Sequence, residues 1–223
     1  MAPLVIIVGA DKGGVGKTTI SRTLMDYFKA KGMECRAFDT EAPQGVLARF
    51  FPATEIVDLT RSDGQMAVFD TLGKSPVTLI DVRAGLLSPT LKTLAEIGFL
   101  DASKFKIVVL HVIGATKASF AEIKATRDAL AGSKHLLVTN HTNESEFFSW
   151  DGDTAKQALA LGDGLIDIPK LNELAMEHVE TLGAPFQTFI DGDGNSAVLR
   201  GYVKHWLGRV FNQYDAARLA LIN

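Results

Sequence analysis

At 223 residues, 47% hydrophobic and 22% charged, the chain can bury a sizeable core, and the expectation is one α/β domain over residues 1–223. The net charge of −3 gives no overall pull toward nucleic acid, so any DNA contact has to come from a local basic patch. The single cysteine, Cys35, excludes an internal disulfide and the cysteine sets of an iron–sulfur cluster or a structural zinc, and no 18-residue apolar span or leader-like start is present, which reads as a cytoplasmic protein.

Leu4 to Val8 is a short apolar run rich in β-branched residues, the pattern of a buried parallel strand. Gly13, Gly14 and Gly16 follow, then Lys17, Thr18 and Thr19, which lead into a helix with Ile20, Leu24, Tyr27 and Phe28 on one face. Strand, glycine loop, lysine-threonine and helix form the context of a phosphate-binding loop. The glycines let consecutive N–H groups converge on an anion, and the helix adds the positive end of its dipole. Lys17 supplies a mobile charge for the β and γ phosphates, and the Thr18 hydroxyl is a candidate Mg²⁺ ligand.

The usual loop is G-x-x-x-x-G-K-[ST]. Here Asp11 stands in place of the first glycine, and the stretch reads Lys12-Gly13-Gly14-Val15-Gly16-Lys17-Thr18-Thr19. It resembles the deviant Walker A loop of the ParA/MinD family of ATPases. That resemblance implies a mostly parallel sheet with helices on both faces, ATP and Mg²⁺ as cofactors, and a homodimer when ATP is bound. It also implies that Lys12 crosses the dimer interface to the partner's nucleotide. A solvated loop lysine is the plain alternative.

Helix one is expected to end near Gly32, and Cys35 to Asp39 to form a second strand. Asp39-Thr40-Glu41-Ala42-Pro43-Gln44-Gly45 resembles the family's Asp-x-Asp-Pro-Gln-Gly switch. On that match Asp39 orients magnesium-bound water, and Glu41 replaces the aspartate that positions the attacking water. Glu for Asp and the inserted Ala42 depart from the pattern. Phe50-Phe51-Pro52 reads as packing or a helix end, Ile56 to Leu59 as a short strand, and Gln65 to Leu72 as a helix. Val77 to Asp81 is an apolar strand ending in aspartate. It resembles a Walker B strand, which assigns Asp81 to a magnesium-bound water. Val82-Arg83-Ala84-Gly85 follows where the family has two prolines; Arg83 is a candidate for phosphate, the facing subunit, or an acidic neighbour.

Lys106 to Ile113 reads as a strand and Lys117 to Ala131 as a helix, with His111 a core histidine. The strand His135 to Asn140 ends in an amide that can offer both donor and acceptor to a base edge, and the resemblance favours adenine recognition by Asn140. Phe147, Phe148 and Trp150 form an aromatic cluster suited to packing under a loop. Asp151-Gly152-Asp153 and Asp191-Gly192-Asp193-Gly194-Asn195 both read as turns; in the second, Tyr202 stands where an EF-hand needs glutamate. Leu165 to Ile168 is a last strand. Ile168-Pro169-Lys170 resembles the family's Ile-Pro-Arg segment, with Lys170 for arginine; that segment lines the adenine pocket in the family, which implies Pro169, Lys170 and Leu171 there. From Val198 a basic amphipathic helix follows, able to pack on the sheet, lie on a membrane or touch DNA phosphates.

The resulting expectation is an ATPase whose slow, partner-stimulated turnover drives a dimerisation switch that partitions or positions a cargo. A partner protein is expected, non-specific DNA is a candidate contact, and a membrane surface is the less favoured one. The alternative is a P-loop ligase resembling dethiobiotin synthetase.

Overall fold

Among the described residues, seven strands pair side by side in parallel, in the order β3-β2-β4-β1-β5-β6-β7. The computed structural model describes residues 2–10, 12–96, 104–113, 119–130, 132–141 and 152–221. The strands are β1 (Leu4–Gly9), β2 (Cys35–Asp39), β3 (Glu55–Ile56), β4 (Val77–Asp81), β5 (Lys106–Ile113), β6 (Lys134–Asn140) and β7 (Leu165–Ile168). Between and after them come α1 (Lys17–Ala30), α2 (Ser62–Phe69), α3 (Leu87–Glu96), α4 (Ser119–Ala129), α5 (Gly152–Leu161), α6 (Glu173–Leu182), α7 (Phe186–Asp191) and α8 (Ala197–Ala216). This is the expected α/β class, with every strand pair parallel and helices on both faces.

Strand periodicity divides the core. Leu4, Ile6 and Val8 face a layer built from α1, α6, α7 and α8, while Val5 and Ile7 face α2, α3 and Leu130, the residue after α4. Helix α8 gives the first layer Leu199, Val203, Trp206, Leu207, Val210 and Tyr214, all buried. Each aliphatic side chain among them contributes roughly 1.5–3 kcal/mol when fully removed from water. The C-terminal helix is therefore part of the sheet's packing, whatever its outer edge does. No helix among the described residues is long and apolar enough to cross a membrane.

The connections place the site. The chain leaves β1 toward β2 and leaves β4 toward β5, in opposite directions across the sheet. Open parallel sheets have a crevice over the carboxyl ends of such strands. The loops after β1, β2 and β4 all meet there.

Several boundaries differ from the sequence expectation. The short strand is Glu55–Ile56, and the next helix begins at Ser62 instead of Gln65. Gly152 and Asp153, expected in a turn, open α5. Asp191, likewise expected in a turn, closes α7. The expected helix Lys117–Ala131 is observed as Ser119–Ala129, and its two end residues lie outside the described residues. Phe147, Phe148, Trp150 and Asp151 also lie outside them.

Candidate functional site

The glycine loop delivers α1 into the crevice with its first turn uncovered. Gly14 and Gly16 have φ of 79° and 85°. Gly16 is the N-cap of α1 in the left-handed region, where a Cβ costs about 1–2 kcal/mol. Among the described residues no side chain caps the helix, and its first turn carries no acidic residue. The orphan N–H groups and the positive dipole end are thus left for an anion. A Cβ at Gly13 or Gly14 would meet nothing within 4 Å among the described residues. Lys17 opens α1 with its side chain mostly buried, at 8% exposure, whereas Lys12 is exposed at the loop's mouth.

Beside this loop stand two buried carboxylates. Asp39 ends β2 and Asp81 ends β4, and the two are in register. Burial, and then the Asp39 charge, push the Asp81 carboxyl up to about 7, against the opposing pull of Lys17 and the Thr18 hydroxyl. Asp81 Oδ2 is buried with no hydrogen-bond partner among the described residues. An orphaned carboxylate oxygen, a second carboxylate and a hydroxyl make a hard oxygen set that fits Mg²⁺.

Asp39 also shapes the loop that follows it. Its Oδ1 accepts the Glu41 N–H at 2.9 Å, and its Oδ2 accepts the Leu47 N–H at 2.7 Å. The Glu41 carbonyl in turn accepts the Gly45 N–H at 3.0 Å, and the Glu41 side chain is left exposed. The loop after β4 is stitched to the same segment: Thr40 N–H donates to the Asp81 carbonyl at 3.0 Å, and Arg83 N–H donates to Thr40 Oγ1 at 2.8 Å. Arg83 itself is exposed.

Next to the start of α1 lies a cavity of about 310 Å³ whose lining includes Thr19, Asn140, Pro169, Leu171, Met176 and Trp206. Asn140 spends its amide N–H₂ on the glycine loop, at 3.1 Å from the Val15 carbonyl and 3.4 Å from that of Gly16. It braces the loop and leaves its side-chain oxygen as the group able to meet a base. Lys170 does not line the cavity; its ammonium lies 2.6 Å from Glu173 Oε1. Trp206 fixes the wall by donating its Nε1–H to the Pro169 carbonyl at 2.6 Å. Trp206 and Met176 escaped sequence reasoning because each belongs to an apolar helical stripe that also reads as core.

A larger cavity, about 720 Å³, sits at the opposite edge of the sheet against Pro3, Gly32, Met33 and Pro76. Neither the glycine loop nor the carboxylate pair is near it, whereas the smaller cavity is tied to the glycine loop through Thr19 and Asn140. His111 is a core residue, as expected: its Nε2 is 3.0 Å from His135 Nδ1, and burial lowers it to about 3.

Comparison with known proteins agrees with this arrangement. The model of the CobQ/CobB/MinD/ParA nucleotide-binding domain matches residues 6–220. Protein MobD of Acidithiobacillus ferrooxidans is 24% identical over 173 residues, which are 71% of this chain and 74% of MobD. Among solved structures, the septum site-determining protein MinD of Pyrococcus horikoshii, complexed with Mg-ADP, has a TM-score of 0.56 at 17% identity, covering 92% of this chain and 96% of that one. A nucleotide-binding protein of Archaeoglobus fulgidus in complex with ADP has a TM-score of 0.56 at 15% identity, covering 81% of this chain and 86% of that one. MinD of Aquifex aeolicus has a TM-score of 0.52 at 11% identity, covering 92% and 97%. At these identities the solved structures speak for the fold, and the family match over nearly the whole length speaks for descent: the chain belongs to the CobQ/CobB/MinD/ParA family of nucleotide-binding domains.

Proposed function

We propose that the protein is a Mg²⁺-dependent ATPase that works as an ATP-driven dimerisation switch, organised as one domain, and that it positions or partitions a cargo. The observation that carries this reading is the juxtaposition of the uncapped α1 N-terminus and Lys17 with the buried Asp39–Asp81 pair. The Mg-ADP of the Pyrococcus MinD and the ADP of the Archaeoglobus protein support the choice of ligand.

In this reading Gly13 to Thr19 hold the phosphates, and the cavity beside Asn140, Pro169 and Leu171 takes the adenine. Thr18, Asp39 and Asp81 hold the cation, directly or through water. When bound, Mg²⁺ would neutralise phosphate charge in the transition state. Glu41 positions the water that attacks the γ phosphorus; the new bond to the water oxygen forms as the bond to the bridging oxygen breaks, so ADP leaves, inorganic phosphate keeps the water oxygen and one of its protons, and the other proton passes to solvent. The Glu41 backbone is fixed by Asp39 while its side chain is exposed, an arrangement that leaves the carboxylate able to reach a water. Lys12 answers the nucleotide of a second copy. Turnover is slow until a partner protein completes the switch. A polyanionic cargo such as DNA would meet the exposed Lys204 and Arg209 on α8.

Calorimetric titration tests the core of this reading. Lys17→Ala removes one charge-assisted phosphate contact and should weaken Mg-ATP binding by roughly 1.5–3 kcal/mol, with the fold intact by circular dichroism. Glu41→Ala should titrate like the wild type and lose single-turnover hydrolysis. Equal ATP affinity in wild type and Lys17→Ala would remove the phosphate loop from the account.

A further inference from the structure

Glu180 of α6 lines the 310 Å³ cavity and is also the hub of a cluster that reaches the loop after Asp39. Its carboxylate forms a hydrogen-bonded ion pair with Arg22 of α1 and lies 3.8 Å from Arg49. Arg49 also donates to the Glu180 backbone carbonyl. Arg22 is buried at 2% exposure, its guanidinium 3.5 Å from the Phe50 ring centre and 4.3 Å from that of Phe186. Its Nε and one Nη have no hydrogen-bond partner among the described residues. A buried cation with so little compensation cannot lose its carboxylate cheaply, so Glu180, Arg22 and Phe50 are held as a unit.

That unit continues into the switch loop. Arg49 closes the 3₁₀ turn Leu47–Arg49, and both Phe50 N–H and Phe51 N–H donate to the Leu47 carbonyl at 3.0 Å. The Leu47 N–H is the group that Asp39 Oδ2 accepts at 2.7 Å. One short turn therefore separates the wall of the cavity from the carboxylate assigned to the cation.

We propose that Arg22, Glu180 and Arg49 are positioning residues that couple occupancy of this cavity by the nucleotide base to the ordering of the Glu41–Phe51 segment. The proposal rests on the nucleotide reading above. A base in the cavity packs against the α6 wall and fixes Glu180; Glu180 fixes Arg49 and, through Arg22, Phe50. The turn then presents Leu47 N–H to Asp39 and holds the backbone of Glu41. Phosphates alone occupy the glycine loop and make no contact with this wall.

Hydrogen exchange of the full chain, followed over residues 45–51, reads the coupling without hydrolysis. The probes are Mg-ADP and, as phosphates without a base, Mg-pyrophosphate. Mg-ADP should slow exchange in this segment of the wild type by about tenfold or more, and Mg-pyrophosphate by much less. Arg49 is half exposed, so Arg49→Ala leaves the core intact. It should keep ADP affinity within about threefold yet lose most of the ADP-dependent slowing. Arg49→Lys, which keeps a cation and a donor, should restore part of it.

Two results overturn the proposal. They are equal slowing by ADP and pyrophosphate, and equal ADP-dependent slowing in wild type and Arg49→Ala, including the case where the variant exchanges faster with and without ADP by the same factor, which marks a structural role only. A wild type that binds no ADP by calorimetry overturns the nucleotide reading itself, and the coupling falls with it.

Discussion

Asp26 on α1 accepts the N–H of Phe186 at 2.9 Å and of Gln187 at 3.4 Å, so one carboxylate anchors the start of α7. Burial raises its pKa from 3.8 to about 6, although those amides and Arg22 pull it down. The unfolded chain gives up this proton near pH 4 and the folded chain near pH 6. The stabilisation tied to the bound proton is therefore complete below about pH 4 and is lost as pH rises through 6, a change worth roughly 1–3 kcal/mol. Asp26→Asn keeps an acceptor for the Phe186 N–H and removes the charge. It should melt at a higher temperature than the wild type at pH 8, with the gap closing by pH 4.5, as followed by thermal unfolding monitored by circular dichroism. A gap of the same size at both pH values would show that the charge is not what matters. The residue-level features of the phosphate loop were open to sequence reasoning because they are contiguous: the single stretch from Ala10 to Thr19 holds Lys12, Lys17 and Thr18. Asp26, Arg22 and Glu180 were not legible, because each acts on a partner more than a hundred residues away.

At the scale of elements, the loop between β2 and the 3₁₀ turn depends on Gly45. Its φ is 59°, and a Cβ there would lie 2.5 Å from the Ile56 side chain. Gly45→Ala adds left-handed strain, about 1–2 kcal/mol, to that clash. The variant should lower the melting temperature and speed exchange at Leu47 N–H; a native-like melt with unchanged protection would mean that the turn has another route. The strands were legible for a simple reason. Val5 to Val8 and Ile107 to Val109 are buried on both faces and read as continuous apolar runs. The helices α3, α5 and α7 were not singled out. Helix α7 is only six residues long, with its cap supplied by Asp26 from α1, so tertiary contact defines it and local pattern does not. Strand β3 is two residues long with both side chains exposed, and pairing with Phe38 and Asp39 defines it more than its own composition does. Asn140 was placed correctly at the end of β6, but its grip on the Val15 and Gly16 carbonyls needed the tertiary structure to be seen.

For the whole molecule, the carboxyl edge of the sheet gathers Lys12, the glycine loop, the Asp39 loop and Arg83 on one side. Lys17 already serves the phosphates of its own loop. A second lysine at the loop's mouth adds most where it neutralises the triphosphate of a facing copy and where water is excluded, since charge contacts strengthen as the effective dielectric falls. ADP offers less charge to bridge, so the account makes association depend on the γ phosphate. The most direct measurement is sedimentation velocity of the wild type and Lys12→Ala, each with a non-hydrolysable ATP analogue and Mg²⁺ and each with Mg-ADP. The account predicts a wild-type dimer with the triphosphate only, and a Lys12→Ala that binds the analogue by calorimetry yet sediments as a monomer. A wild type that stays monomeric with the triphosphate, or a Lys12→Ala that dimerises as well as the wild type, would contradict it.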